Sequence, residues 1–426
     1  GMIIGLALLV IMAVRGYHIL LIGLVCALVV AVAGGLNPYI AITEHYMAGY
    51  VSFFKSYFLM FLVGALFGKV MEESGGADAI AEMVVRKLGA KFALLAIVIA
   101  CGVLTYGGVS VFVVTFTAYP IAVNLFKEAN LPRRFLPAAI ACGSITFAMT
   151  SPGTPQIQNI IQTTTLGTTA MAGATVGFIA GAFMLVVGTL WLYYMVNKDV
   201  AAGGHYTPRE GEELVEVDVS KLPSAWLSFV PLILTIVCLN VFKVPVEVSV
   251  LLGVISGLII FYNKLDLKKF PAMFGRGAGG AISAICNTCA VVGFGSVVKN
   301  VPSFQILIDT VTHLPGPALV GAAIAVSVIC GITGSASGGL GIAIPIVGPI
   351  YTAMGVPAAA LHRVSAISSG ALDSMPHNGY IVTLLNLCGI SHKEGYMPLF
   401  NITVVLPAAA TALAILLFTL FPGLAV

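Results

Sequence analysis

Charge is what this sequence has least of. Only 9% of its 426 residues are Asp, Glu, Lys or Arg, against about a quarter in an ordinary soluble domain. That scarcity excludes a water-soluble globule, whose surface would have to be built from apolar side chains. The remaining imbalance, a net charge of +3, is too small and too dispersed to make a nucleic-acid-binding face. Sustained alternation of apolar and polar residues is also scarce, whereas continuous apolar runs such as Phe229 to Val241 and Leu406 to Phe421 are present. A transmembrane barrel is thereby excluded in favour of helices. No HExxH sequence occurs, and no nucleophile and base stand at a suggestive spacing, so an enzyme has no evident catalytic seat. No cleavable-signal pattern is read at the start. The eight cysteines lie mostly within apolar segments and read as small hydrophobes; Cys286 and Cys289 form a CxxC without the second pair a zinc site would need.

What the sequence has in abundance is apolar surface: 59% hydrophobic residues and a mean hydropathy of +1.05, the composition of a polytopic helical membrane protein. Within it one device occurs twice, about 229 residues apart, in Cys101 to Gln156 and in Cys330 to Tyr380. Each copy opens on Cys-Gly and runs into a small polar patch. The first patch is Thr105, Tyr106, Gly107, Gly108, Val109 and Ser110; the second is Thr333, Gly334, Ser335, Ala336, Ser337, Gly338 and Gly339. An apolar arm and a proline follow, Pro132 or Pro357. A further apolar run then ends on another patch: Thr150, Ser151, Pro152, Gly153, Thr154 and Pro155 against Asp373, Ser374, Met375, Pro376, His377 and Asn378. Repeats whose hydrophobic segments are interrupted at matching places point to a transporter's binding site.

The 13-residue arm Phe92 to Leu104 is too short to cross a bilayer, which predicts a re-entrant hairpin over about 92–126 and a matching one over about 317–354. The runs after them, about 133–167 and 358–389, predict discontinuous helices. The expected fold is an all-α polytopic membrane protein of two inverted-topology repeats, each with about five spanning helices, one re-entrant hairpin and one discontinuous helix. The repeats are 1–196 and 224–426, joined by a cytoplasmic polar linker over 197–223 that carries Glu210, Glu212, Glu213, Glu216 and Asp218. Met2 to Ala33 is expected as two spans turning at Arg15. Pro38 to Lys55 is expected to lie in the interface, with Tyr46, Tyr50, Phe53, Phe54 and Tyr57 as anchors, ahead of a span from Ser56. Lys69 to Lys91 reads as a solvated surface helix, Asp266 to Arg276 as another interfacial piece, and Phe304 to His313 as a short amphipathic one. Basic residues cluster at the base of the first hairpin (Arg86, Lys87, Lys91, Lys127, Arg133, Arg134), which places that base in the cytoplasm. Threading from there puts both termini outside and leaves only Lys55, Lys243, Lys299 and Arg363 of the 20 basic residues outside.

Two hairpin tips and two helix interruptions, brought together near the midplane, would make a binding site. Helix N-termini offer N–H groups to an anion, C-terminal carbonyls can hold a cation, and glycines at 107, 108, 334, 338 and 339 let backbone come close. The expected substrate contacts are Thr105, Gly107, Gly108, Ser110, Ser151, Gly153, Thr154, Thr333, Gly334, Ser335, Ser337, Gly338, Ser374 and Asn378. Asp373 and His377 are ionisable residues expected deep in the membrane and are the candidates for ion coupling. The first copy has no acid near Ala148 or Met149, so a single coupling site is expected. No Lys or Arg falls in the polar patches.

At Gly64 to Gly76, reading GALFGKVMEESGG and continuing ADAIAEMVVRKLG to Gly89, the chain resembles the gluconate permease family, the gluconate:proton symporters of GntP type within the ion transporter superfamily. The likeness runs over nearly the whole length and includes CGITGSASGG at Cys330 to Gly339. The resemblance implies an inverted-repeat, elevator-style homodimer in the bacterial inner membrane that takes up a small hydroxy monocarboxylate with protons. It implies no cofactor beyond the coupling ion, H+ or else Na+. Ile332 and Thr333 stand where the family's gluconate carriers have an Arg ahead of the tip, and Ser337-Gly338 stand where they have Thr-Val, which sets 3-hydroxybutyrate beside gluconate as a candidate. A cation/proton antiporter on the same plan, or a sodium-coupled organic anion carrier, is the alternative.

Overall fold

A computed structural model describes residues 2–15, 17–209, 218–312 and 316–425. The linker acids Glu210, Glu212, Glu213 and Glu216, and also His313, lie outside the described residues. Among those described, all regular structure is helical. The first half runs α1 (Met2–Val14), α2 (Ile19–Ala33), α3 (Pro38–Glu73), α4 (Gly76–Leu88), α5 (Ala90–Tyr106), α6 (Val111–Glu128), α7 (133–147), α8 (Ile157–Leu166) and α9 (Ala174–Ala201). The second runs α10 (Ala225–Asn240), α11 (Val246–Ile260), α12 (Phe270–Lys299), α13 (Pro302–Thr312), α14 (Ala318–Thr333), α15 (Ala336–Ala353), α16 (Ala358–Leu372), α17 (Gly379–Cys388) and α18 (His392–Leu420). The order repeats: two short apolar helices, a very long one, a short amphipathic one, a helical hairpin, a helix broken in two and a long closing helix. Six of the described helices are long and apolar enough to cross a membrane, or seven if α4 and α5, bent by 102°, count as one span.

The long third element of each half differs from expectation. Pro38 to Lys55 is not a separate interfacial helix but the start of α3, an unbroken helix of 36 residues. Asn37 starts it, its Oδ1 accepting from the N–H groups of Tyr39 and Ile40, and no proline or glycine pair interrupts the chain before Ser74. At 1.5 Å per residue α3 is about 54 Å long, so it must tilt in, or project beyond, a core about 30 Å thick. Likewise, most of the interfacial piece expected at Asp266 to Arg276 belongs to α12. The aromatic stripe faces inward: Tyr46, Phe53 and Tyr57 are buried, packed on the second half instead of anchoring at a headgroup layer. A methyl group placed on Gly293 of α12 would come within 2.9 Å of the Tyr46 ring and 3.0 Å of its carbonyl oxygen. Gly293→Leu is therefore expected to force α3 and α12 apart and cost about 1–3 kcal/mol; an unchanged melting temperature in detergent would contradict this contact.

The stretch expected as a solvated surface helix is divided between the end of α3 and α4. One face of α4 is buried through Ala77, Ala79, Ile80 and Ala81, against α5 and α10. Its other side stays wet, with the Lys87 ammonium 5.0 Å above the Trp226 ring.

The helices fall into two packing groups. One joins α1, α2 and α3 to α10, α11 and α12, with α3 lying along α12 and α2 against α12. The other joins the hairpins, broken helices and closing helices, α5 to α9 and α14 to α18. A separate apolar cluster, from Leu9, Ile22 and Cys26 to Phe294, Val297 and Phe304, binds the N-terminal helices to the end of α12 and to α13.

Candidate functional site

The first tip and the first break form one hydrogen-bonded unit. In the turn between α5 and α6 the Thr105 carbonyl accepts the Gly108 N–H at 3.0 Å, and the Gln156 amide donates to the carbonyls of Thr105 and Val109, at 2.7 and 3.2 Å. Tyr106 donates its hydroxyl to the Pro152 carbonyl at 2.8 Å, and Thr154 donates to the Tyr106 carbonyl at 3.3 Å. Asn159, one turn into α8, donates back to the carbonyls of Ser151 and Thr154 at 2.7 and 3.2 Å. Asn240, the last residue of α10, holds the Gly153 carbonyl at 2.8 Å. A backbone interruption inside an apolar bundle needs such partners, since water is not available to supply them.

The second tip and break are built differently. Ser335 caps α15, its hydroxyl oxygen accepting from the Gly338 N–H at 3.1 Å and standing 3.3 Å from the Ser337 hydroxyl. Asn378 caps α17 through the N–H groups of Tyr380 and Ile381 and donates its amide to the Asp373 carbonyl at 3.0 Å. The Asp373 carboxylate accepts from the Ser374 hydroxyl at 2.9 Å and meets the Ala336 backbone N–H at the start of α15. His377 lies against Gly334, where a Cβ would stand 2.4 Å from the imidazole and where φ is +58°. Only glycine fits there. The His377 ring meets the Gly331 backbone, and no hydrogen bond joins it to Asp373 among the described residues. Both face the second tip.

Tyr380 ties the halves together. Its hydroxyl lies 2.8 Å from both the Thr115 hydroxyl on α6 and the Ser144 hydroxyl on α7, and its ring meets Phe112 edge-on at 5.7 Å. Ser144, which also donates to the Ile140 carbonyl at 2.8 Å, lies in the π-helical stretch 142–147, a widening common next to functional sites. In the complementary contact α8 lies along α15, with Leu166 on Gly348. The four interruptions are thus linked through the protein interior, and Thr105, Thr154, Thr333 and Asn378 are all buried.

Several expected substrate contacts are already committed to the backbone. Ser151 donates to the Phe147 carbonyl, Thr154 to that of Tyr106, and Thr333 to those of Cys330 and Ser335. The reason is local: a break creates bare carbonyls, and the nearest hydroxyl answers them first. Gly107 abuts Leu232 of α10 and Gly338 abuts Val291 of α12, so these two glycines serve close approach to the other helix group. Gly68 of α3 stands beside Ser110 at the start of α6. Gly108 sits on Pro155, and Gly153 takes a positive φ with its N–H on the Ala170 carbonyl. Thr105 keeps a buried hydroxyl with no partner among the described residues, and Ser335 and Ser337 remain partly exposed.

Two residues that sequence reasoning passed over dominate the first break. Arg363, expected as an outside charge, is fully buried on α16. It donates to the carbonyls of Ala172 (3.0 and 2.8 Å), Ala170 (3.0 Å) and Thr150 (2.5 Å), and to Asn159 Oδ1 (3.0 Å). All five guanidinium N–H groups are engaged, so none is left for a ligand. His362 beside it is also fully buried and bridges Thr168, 2.7 Å away, and Asn159, 3.2 Å away. Arg133 is the matching residue of the first half, with its Nε on the carbonyl of Cys388 at the end of α17 and Nη2 on the Tyr119 hydroxyl. Each broken helix therefore carries an arginine near its start that holds the chain at or just beyond the end of the other half's short helix. The signal was present in the sequence: His362-Arg363 stands inside a run of Ala, Leu, Val and Ser that is too apolar for a surface helix.

Similarity to known proteins agrees with this architecture. A family model described as GntP family permease matches residues 1–248. The Bacillus subtilis (strain 168) transporter YxjC is 35% identical over 96% of this chain and 96% of its own. A Haemophilus influenzae transporter is 24% identical over 75% of this chain and 74% of its own. Among solved structures, the Alcanivorax borkumensis YdaH transporter, described as having an unusual topology, superposes with a TM-score of 0.63 at 14% identity over 89% of each chain. That likeness bears on the fold alone. On the family model and the full-length similarity to YxjC, the chain belongs to the GntP family of permeases and is a membrane transporter.

Proposed function

We propose that this permease is a secondary active transporter that takes up a small hydroxy monocarboxylate, 3-hydroxybutyrate, gluconate or a similar sugar acid, with protons across the bacterial inner membrane. The observation that carries the reading is the linkage of two hairpin tips to two helix breaks inside the protein. There α6, α8, α15 and α17 all begin, and four helix starts bring partial positive charge to the linked breaks with no free cationic side chain among the described residues there, a setting for a single carboxylate. Asp373 and His377, on one break and facing one tip, are the proposed coupling groups. The repeated element order supports two repeats of opposite topology, 1–196 and 224–426, with the linker cytoplasmic and both termini outside. The division into two packing groups supports an elevator in which the hairpins, broken helices and closing helices travel against α1 to α3 and α10 to α12, the latter group carrying the contact of a homodimer.

The experiment is counterflow in proteoliposomes. Vesicles preloaded with unlabelled 3-hydroxybutyrate or gluconate are expected to accumulate the labelled acid transiently without any ion gradient. An antiporter of cations would show no such overshoot, and a sodium-coupled carrier would show one only with Na+ present.

A further inference from the structure

Three polar side chains beside the breaks are buried with atoms that no described residue answers. They are Gln158 through Oε1, Gln162 through both amide atoms, and Ser365 through its hydroxyl. Gln162 and Ser365 are wholly buried and Gln158 is 5% exposed. Their neighbour Asn159 is the contrast, with both amide atoms committed to Ser151, Thr154, His362 and Arg363. The placement is specific. Gln158, Gln162 and Leu166 follow one another at four-residue steps along α8, and Leu166 packs on Gly348 of α15. The stripe thus runs from the first break, where the Gln158 amide nitrogen meets Met149 Sδ at 3.7 Å, to α15, whose first residues follow directly on the second tip. Ser365 lies one turn along α16 from His362, whose ring bonds to α8.

An interior amide with no partner is destabilising unless something polar arrives to pair with it. The chemistry of these atoms restricts what that is. A carboxylate would answer only the N–H groups and a cation only the oxygens, whereas an alcohol both donates and accepts and matches an uncharged amide.

Building on the carrier reading above, we propose that Gln158, Gln162 and Ser365 form the part of the substrate site that reads the hydroxyl of the acid, so that the protein selects hydroxy acids over their deoxy counterparts. The helix starts hold the carboxylate and the amides hold the alcohol end.

The test compares 3-hydroxybutyrate with butyrate and gluconate with hexanoate, by thermal shift and by counterflow, in the wild type and in Gln158→Leu, Gln162→Leu and Gln162→Met. The wild type is expected to prefer the hydroxy acids by roughly tenfold or more. The variants are expected to fold with an equal or higher melting temperature, since an unpaired amide is gone, to retain butyrate binding, and to lose the preference. Variants that keep the wild-type preference overturn the proposal, as an assignment of these amides to ordered water would require. A wild type that binds butyrate and 3-hydroxybutyrate equally also overturns it, while leaving the carrier reading intact. If none of the four acids binds the wild type, the monocarboxylate reading falls and this assignment falls with it.

Discussion

Asp373→Asn is expected to abolish accumulation driven by a pH gradient while leaving substrate exchange in place. If the proposed symport carries one proton with one monoanion, it is electroneutral and the driving force is the pH difference alone, tenfold per unit. A two-unit gradient then supports roughly hundredfold accumulation in the wild type, each unit being worth about 1.4 kcal/mol. The carboxylate sits at the C-terminal end of α16, where the helix dipole disfavours negative charge, and meets the N-terminal end of α15, where it is favoured. In the proposed proton symport, an acid held between these opposing fields would exchange its proton as the two helix ends move. Asparagine keeps the volume and can still accept from Ser374, but it cannot carry a proton. The accumulation ratio is expected to fall to about one, with counterflow persisting, since exchange needs only that the loaded carrier move. Labelled uptake into proteoliposomes under an imposed gradient reads this directly. A variant that still concentrates substrate moves the proton site elsewhere, and His377→Gln becomes the next variant to measure.

Arg363→Met is expected to be the most destabilising single change in the second half. It removes five hydrogen bonds, leaves the carbonyls of Ala172 and Thr150 facing a closed interior, and leaves that of Ala170 with only the Gly153 N–H. A buried carbonyl left without its donor costs about 1–3 kcal/mol, so losing several at once is a large share of a typical net stability. Lysine should rescue only in part: it brings three donors on a flexible stem where a planar fork of five is engaged. The order expected in thermal unfolding is wild type, then Arg363→Lys, then Arg363→Met. Equal melting temperatures for all three would mean that the guanidinium does not hold the first break.

The sequence makes some of this architecture plain and hides the rest for identifiable reasons. The tips at 107–110 and 334–335 and the breaks after Phe147 and Leu372 are legible because Gly, Pro and small polar residues inside long apolar runs leave the backbone nothing to do but interrupt. The continuity of α3 was not legible, since a stripe of Tyr46, Phe53 and Tyr57 has the same spacing whether it meets headgroups or Gly293. Arg363 was hidden by the assumption that charge seeks water; carbonyls gathered around a guanidinium can serve as its solvent. Ser151 and Thr333 could be placed at the breaks from composition, but not their partners, because which hydroxyl turns to which carbonyl is fixed only once the chain is folded. Gln158 and Gln162 sit in a helix that the sequence marks only as the distal half of a crossing.

The reciprocal arginines also bear on how the chain is made. Arg133 waits for Cys388, 255 residues later in synthesis, and the loop after α8 waits 191 to 193 residues for Arg363. The broken helix of the first half is therefore complete only once α16 and α17 are in place. Long-range closure of this kind is slow and prone to aggregation. Truncation before Ala358 is expected to send the protein to quality-control proteases, whereas the two halves supplied together as separate chains have what each needs to complete the other.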